Sequence, residues 1–409
     1  MEPNVRRGRV APVRREANLA SWQGAMALAA AMGVGRFVYT PALGAMTAQG
    51  AIGAEAGAAL ASANYLGYLV GALVMLVGRR LQRPWPFRLS LLALAATLAL
   101  MASPSIALWF VARILAGIAS AIVFVSVAQA VASRRSQGVD PGRVYAGLGA
   151  GVALTGLVGG ITADMPWQTQ WWVAFGFLLL AAAVVWGFDP RPAATPSAPT
   201  ATRPASAEPE RAQAPTPGPA RRERPPRASW PLLLGSYGLL GAGYIILGTF
   251  LVVLVDTQLG QGLGSWFWVV AGLAAVPSTA LWRSIADRIG PAAAYALTLV
   301  LQVVAGVLPV LVGGVAATVV SAALYGGTFT AAVMLATGMI HLGVRAAAAK
   351  LTALYSLGQL LGPLAVVPLL DDGYTGAFVV AAAINGASLL LGLALVLSLR
   401  RRGGERAAD

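Results

Sequence analysis

Apolar runs long enough to cross a bilayer recur along almost the whole chain, and this pattern decides most of what it can fold into. They lie near 18–46, 55–78, 84–103, 105–133, 143–163 and 168–188. After a break they resume near 229–257, 264–283, 291–313, 315–342, 346–370 and 374–399. About 20 helical residues cross a hydrocarbon layer of about 30 Å. Inside that layer each backbone N–H and C=O must be paired, which selects helices over irregular chain. Only 11% of residues are charged and 57% are hydrophobic, where a soluble domain carries about 25% charged residues. The prediction is an all-α integral membrane protein with twelve transmembrane helices in two sets of six.

The break is made of different material. Residues 189–228 hold 11 of the chain's 25 prolines and no apolar run. Such a segment cannot bury a core and reads as a disordered, semi-extended linker. The expected organisation is therefore a basic tail (1–17), a six-helix bundle (18–188), a linker (189–228), a second six-helix bundle (229–399) and a short tail (400–409). No small-residue cleavage site follows a short apolar core near the start, so the first segment is expected to be an uncleaved span.

Lysine and arginine give the orientation. The N-terminal tail, the even-numbered connections, the linker and the C-terminal tail hold 27 of the 29 basic residues. The odd-numbered connections hold none, and only Arg36 and Arg113 lie within spans. The positive-inside rule then places both termini and the linker in the cytoplasm, with the spans in the plasma (inner) membrane. The net charge of +14 is accounted for by this distribution, so no nucleic-acid partner is implied.

Arg36 stands in the run Gly33-Val34-Gly35-Arg36-Phe37-Val38-Tyr39-Thr40-Pro41. It is fourteen residues past Trp22, roughly 21 Å along a helix. A charge so deep in the layer costs a few kcal/mol or more and usually faces a protein interior or a wet cavity. The alternative is a side chain that snorkels to the interface, with the helix ending at Thr40-Pro41. Pro41 also predicts a kink, because it frees a carbonyl one turn back. Counted from the helix ends, Arg36, Arg113 and Asn64 lie about 9, 12 and 13 Å below one edge of the layer. Two permanent cations and an amide thus share a level.

Polar residues are unevenly spread. Spans 3, 6 and 12 read as almost wholly apolar outer helices. Deep polar groups fall elsewhere: Arg36, Tyr39, Asn64, Arg113, Gln129, Thr155, Tyr244, Tyr325, Thr328 and Gln359. This arrangement predicts two bundles around a central cavity. Gly33-Val34-Gly35-Arg36 can be laid on Gly241-Ala242-Gly243-Tyr244, and Arg113 through Gly117 on Ala323 through Gly327. Weak internal symmetry of that kind is typical of transporters. Candidate substrate-binding residues are Arg36, Tyr39, Asn64, Arg113, Gln129, Tyr244, Tyr325 and Gln359. Glu55, Asp164 and Asp256 lie near span ends and read as mouth-lining or solvated.

Several classes of chemistry are excluded or unsupported. There is no cysteine and only one histidine, His341, so cysteine-ligated and multi-histidine metal sites are unavailable within one chain. His341 itself reads as a solvated helix-end residue. No Gly-x-x-x-x-Gly-Lys-Ser/Thr loop appears, and no cluster of nucleophile, base and orienting group shares a depth. The chain is expected not to be an enzyme and to need no cofactor or metal.

Twelve spans as six plus six with a long central connection resemble the major facilitator superfamily. The runs GVGRFVYTPALGAM (33–46), SANYLGYLVGAL (62–73) and YSLGQLLGP (355–363) resemble its YbfB/YjiJ-type branch. Arg113 with Gly117 resembles the superfamily's fourth-span Arg-x-x-x-Gly signature, which implies a cavity-facing arginine. Asp287-Arg288-Ile289-Gly290 resembles its Asp-Arg-x-Gly gate, which implies gating roles for Asp287 and Arg288. The corresponding run after span 2, Gly78-Arg79-Arg80-Leu81, lacks the aspartate. Gly151 through Gly160 resembles a glycine-rich antiporter signature, with Leu157 where proline would stand. The resemblance implies a secondary transporter working by alternating access on a small-molecule substrate, with a proton or another ion as coupling partner, or plain facilitation, left open. An organic anion is the substrate the arginines suggest. The alternatives are an exporter of neutral or cationic drug-like compounds and a non-transporting sensor or scaffold. The lipid bilayer is the expected environment and a monomer the expected state.

Overall fold

A computed structural model describes residues 4–77, 81, 83–191, 229–339, 347–371 and 373–408. The expected linker lies outside these residues from 192 onward, as do Arg79, Arg80, His341 and Arg345. Among the described residues there are no strands. The first span is a broken helix: α1 (Asn4–Leu28), a π-helical turn (Ala29–Val34), α2 (Gly35–Phe37) and α3 (Tyr39–Ala48). The rest of the first set is α4 (Ala54–Val77), α5 (Pro84–Met101), α6 (Ile106–Arg134), α7 (Pro141–Ile161) and α8 (Gln168–Val184). The second set is α9 (Ser229–Leu259), α10 (Leu263–Ile289), α11 (Pro291–Leu311), α12 (Gly314–Gly338), α13 (Ala347–Ala365) and α14 (Thr375–Ala408). Eleven spans among the described residues are at least 18 residues long and apolar, and α8 is a shorter apolar helix of 17. Together they are the twelve spans expected.

Local chemistry explains the helix ends. Pro84, Pro141 and Pro291 each open a helix, where the missing N–H has no role to fill. Asp140 caps α7 by accepting from the Gly142 N–H at 2.9 Å. Asp256 does the same for α10, accepting from the Gly264 N–H at 2.8 Å. Gly290, at φ +85°, ends α10 in a conformation that a side chain would strain.

Arg88, Arg134 and Arg191 come together around residues 186–191 at one end of the first set, called here the basic end. There Asp189 accepts three bonds from the Arg191 side chain, at 2.8, 2.9 and 3.1 Å, and one from its backbone N–H at 3.0 Å, and lies 4.0 Å from Arg134. Hydrogen bonding to Arg191 holds the Asp189 carboxyl below the usual carboxylate range. Arg88 donates to the Trp186 carbonyl and lies over its ring. The residues just before position 192 are thus tied to the first set, although the sequence reads the linker from 189.

The two sets meet along α7 and α10, with α4 against α13 and α3 against α9. The α7–α10 crossing is a backbone-to-backbone contact. A Cβ on Gly156 would lie 2.6 Å from the Val269 nitrogen, and one on Gly272 only 2.1 Å from that of Ala153. Small residues that let backbones approach are how apolar helices gain packing energy in lipid. Towards the end away from the basic residues, Thr40 donates to the Gly248 carbonyl at 2.7 Å and Trp268 to the Thr155 hydroxyl at 3.2 Å. The two sets are closed on each other on that side.

One expectation needs correction, and two features go beyond the sequence reading. The first span is interrupted at Val38, three residues before Pro41, as that proline suggested, and a second irregularity lies upstream. The chain is π-helical over Ala29–Val34, where Gly33 and Gly151 press together so closely that a Cβ on Gly33 would lie 2.5 Å from the Gly151 Cα. A π turn absorbs an extra residue and re-aims everything after it. The last span is not apolar on its inner face. Asn385 and Ser388 of α14 are fully buried, and Ser388, Ser236 of α9 and Tyr295 of α11 share hydrogen bonds. Finally, α1 begins at Asn4, and α14 continues to Ala408, so both tails include helix.

Candidate functional site

The π turn carries Arg36 into the interior, where it is 3% exposed. Snorkelling is therefore ruled out for this structure. Its guanidinium carbon lies 4.3 Å from the centre of the Tyr68 ring and 4.7 Å from that of Tyr65, with Phe37 at 5.7 Å. Ring faces attract a cation, by about 0.5–2 kcal/mol each. The Tyr68 hydroxyl also comes within hydrogen-bonding reach of the guanidinium. Nε and Nη2 of Arg36 are buried with no hydrogen-bond partner.

Arg113 of α6 is 2% exposed. Its guanidinium lies 4.2 Å from the centre of the Tyr39 ring, and its Nε donates a long 3.5 Å bond to the Leu60 carbonyl. It is near enough to Arg36 for the two charges to repel. Among the described residues the only salt bridges are those of Asp189, at the basic end. Neither Glu55, Asp164 nor Asp256 neutralises either arginine. Two buried cations without a carboxylate partner carry a desolvation cost of several kcal/mol each.

The α4–α6 crossing sets the distance between these groups. A Cβ on Gly67 would lie 2.0 Å from the Ile114 oxygen, and one on Gly117 only 2.1 Å from the Asn64 oxygen. At this contact the Asn64 side chain donates to the carbonyl of Arg113 at 2.9 Å. Asn64 Oδ1 is buried and unpartnered. Tyr39 is likewise committed, donating to the Gly57 carbonyl at 2.7 Å. Gly117 of the Arg-x-x-x-Gly signature thus acts as the point where α4 touches α6.

The second set supplies an aromatic wall. Tyr244 of α9 lies nearly parallel to Phe329 and Tyr325 of α12 and to Tyr355 of α13, with interplanar angles of 5°, 14° and 12°. Tyr237 stacks on Tyr355 at 4.4 Å. Phe37 of the first set touches this wall through Trp268 and Phe329. Tyr244 accepts a short hydrogen bond from the Gln359 amide, and the Tyr325 hydroxyl is buried and unpartnered. Tyr244 and Tyr355 lie in the neighbourhood of Arg36.

Of the residues singled out in the sequence, Arg36, Tyr39, Asn64, Arg113, Tyr244, Tyr325 and Gln359 therefore gather at one level. Gln129 does not. It lies sixteen residues beyond Arg113 on α6, about 24 Å along the axis. Thr155 bonds Trp268 between the sets, and Thr328 accepts from Gln302 at 2.7 Å within the second. Asp287 and Arg288 are exposed at the end of α10, and neither forms a salt bridge among the described residues. Sequence reasoning missed Tyr65, Tyr68, Phe329 and Tyr355. A signal was present: Tyr65 and Tyr68 adjoin Asn64, and Tyr355 lies one helical turn before Gln359.

At the closed end a cavity of about 440 Å³ is lined by Gln49, Asp164, Gln170, Asp256 and Gln261, among others. Asp164 and Asp256 are mouth-lining, as their positions near span ends suggested.

The family model described as "Uncharacterised MFS-type transporter YbfB" matches residues 28–397. The crystal structure of the nucleoside transporter NupG (D323A mutant) superposes with a TM-score of 0.66 at 13% identity, covering 93% of this chain and 99% of that one. The crystal structure of the human organic anion transporter MFSD10 (TETRAN) superposes with a TM-score of 0.60 at 19% identity, with the same coverage. At such identities the likeness is one of fold. No curated protein matches the chain. The match over almost the full length places the chain in the YbfB-type family of major facilitator superfamily transporters.

Proposed function

We propose that this transporter carries a small organic anion, and that Arg36 is the group that binds it. The observation that carries this reading is the orphaned pair of Arg36 N–H groups in a buried layer that holds a second cation and no partnering carboxylate. A guanidinium stays charged when buried, and its fork matches a carboxylate or phosphate. An anion arriving at this level would take up the unmet hydrogen bonds and offset the repulsion between Arg36 and Arg113. Asn64 and Tyr39 then act as supports for Arg113, while Tyr244, held by Gln359, faces the anion from the second set.

Alternating access supplies the route. The site lies between the two sets, which are closed on one side through Thr40, Gly248, Thr155 and Trp268. Parting of those contacts, with closure at the basic end, would present the same arginines to the opposite side. We place the basic end in the cytoplasm of an inner-membrane protein, on the distribution of lysine and arginine. A proton is the coupling partner in this proposal.

The test is uptake into proteoliposomes of radiolabelled carboxylates, phosphates and neutral solutes. Arg36→Gln and Arg113→Gln should each reduce anion uptake about 30-fold or more, since losing one partner of a buried charged hydrogen bond costs about 2–5 kcal/mol. Arg36→Lys should keep a weak fraction. Transport of a neutral solute at the wild-type rate by both glutamine variants, with no anion carried by the native protein, refutes the anion reading.

A further inference from the structure

The two orphaned atoms of Arg36 are not a random pair. Nε and Nη2 share one edge of the guanidinium, and their N–H bonds point the same way. That edge offers two parallel hydrogen bonds, the geometry that a carboxylate accepts with both oxygens. The faces of the same guanidinium are already covered by Tyr65 and Tyr68. The binding direction is thus restricted to the plane of the group.

Phe37, next to Arg36, touches at Phe329 a second-set wall of nearly parallel rings. Tyr244, Tyr325, Phe329 and Tyr355 come from three different helices, yet their contacts with one another are all within 14° of parallel, while Trp268 stacks on Tyr325 at 28°. Rings packed only to fill a core adopt tilted and edge-on arrangements as readily as offset stacks. Tilted and edge-on pairs are what this protein shows elsewhere, as at Trp109–Trp167 (85°) and Phe250–Tyr374 (36°). The wall belongs to the second set and Arg36 to the first, so separation of the sets exposes both to one space.

Resting on the anion reading above, we infer that the substrate is an aromatic carboxylate. Its carboxylate takes both hydrogen bonds from Nε and Nη2 of Arg36. Its ring lies against the parallel faces of Tyr244, Phe329 and Tyr355. The unpartnered Tyr325 hydroxyl then meets a polar substituent on the ring where one is present. An aliphatic carboxylate would satisfy Arg36 equally but would lose the stacking.

The experiment compares pairs that differ only in aromaticity, using the purified full-length protein in nanodiscs. Binding of benzoate and 2-naphthoate is measured by titration calorimetry against cyclohexanecarboxylate and decahydro-2-naphthoate. Benzyl alcohol serves as a neutral aromatic. Each aromatic acid should bind about three- to tenfold tighter than its saturated partner, the span expected for one stacking contact. Phe329→Leu and, separately, Tyr355→Leu should bring the ratio of aromatic to saturated affinity down towards one, whatever the change in absolute affinity. Arg36→Gln should abolish binding of both kinds. Equal affinity within each pair, with binding still lost in Arg36→Gln, overturns the aromatic assignment and leaves the anion reading standing. Binding of benzyl alcohol without binding of any acid overturns both.

Discussion

Gly117→Ala tests whether the contact between α4 and α6 governs the site. A Cβ at this position would lie 2.1 Å from the Asn64 carbonyl oxygen and 2.6 Å from the Tyr68 nitrogen, and both obstacles are backbone. Ordinary contact begins at 3.4 Å, so the helices must part by about 1.3 Å. The bond from Asn64 to the Arg113 carbonyl, now 2.9 Å, would open to about 4 Å and be lost. Overpacking costs about 1–3 kcal/mol, and the broken bond adds about 1 kcal/mol. Against this, alanine gains about 1 kcal/mol over glycine in a helix interior. The net loss is about 1–3 kcal/mol, so packing outweighs propensity. SDS-driven unfolding in bicelles reads the stability, with Gly176→Ala as control, since nothing lies within 4 Å of a Cβ there. Arg113 moves with α6, so carboxylate binding should fall by about tenfold for each 1.4 kcal/mol lost at the site. A Gly117→Ala protein within about 0.5 kcal/mol of the native stability, with unchanged binding, would refute the reasoning.

Thr40→Val keeps the shape of the side chain and removes the 2.7 Å bond to Gly248 that ties the two sets. The closed state should lose about 0.5–1.5 kcal/mol, read as increased cysteine labelling at Asp164→Cys; unchanged labelling would show that the bond does not hold that side shut. Ala205→Cys, introduced into this cysteine-free chain, should react with an impermeant maleimide only after cells are opened. Labelling in intact cells would reverse the orientation taken from the basic residues.

The sequence by itself determined the class of fold, the number of spans and where the basic residues gather. These depend on solvation: twelve apolar runs cannot be satisfied outside a membrane interior, and the energy of burying a charge is legible one residue at a time. The same logic singled out Arg36 and Arg113, because two arginines in otherwise apolar spans are costly wherever the helices pack. What only the tertiary structure decided is how those groups are used. Gln129 has the same local character as Asn64, yet it lies a helix-length away from the arginines because depth along α6 separates them. The polar face of α14 was hidden, since Asn385 and Ser388 look ordinary until α9 and α11 close over them. The π turn at Ala29–Val34 has no compositional mark; it arises where Gly33 meets Gly151, more than a hundred residues away. The parallel aromatic wall likewise joins residues of three helices, and no local pattern can specify the angle between rings that meet only after the helices have packed.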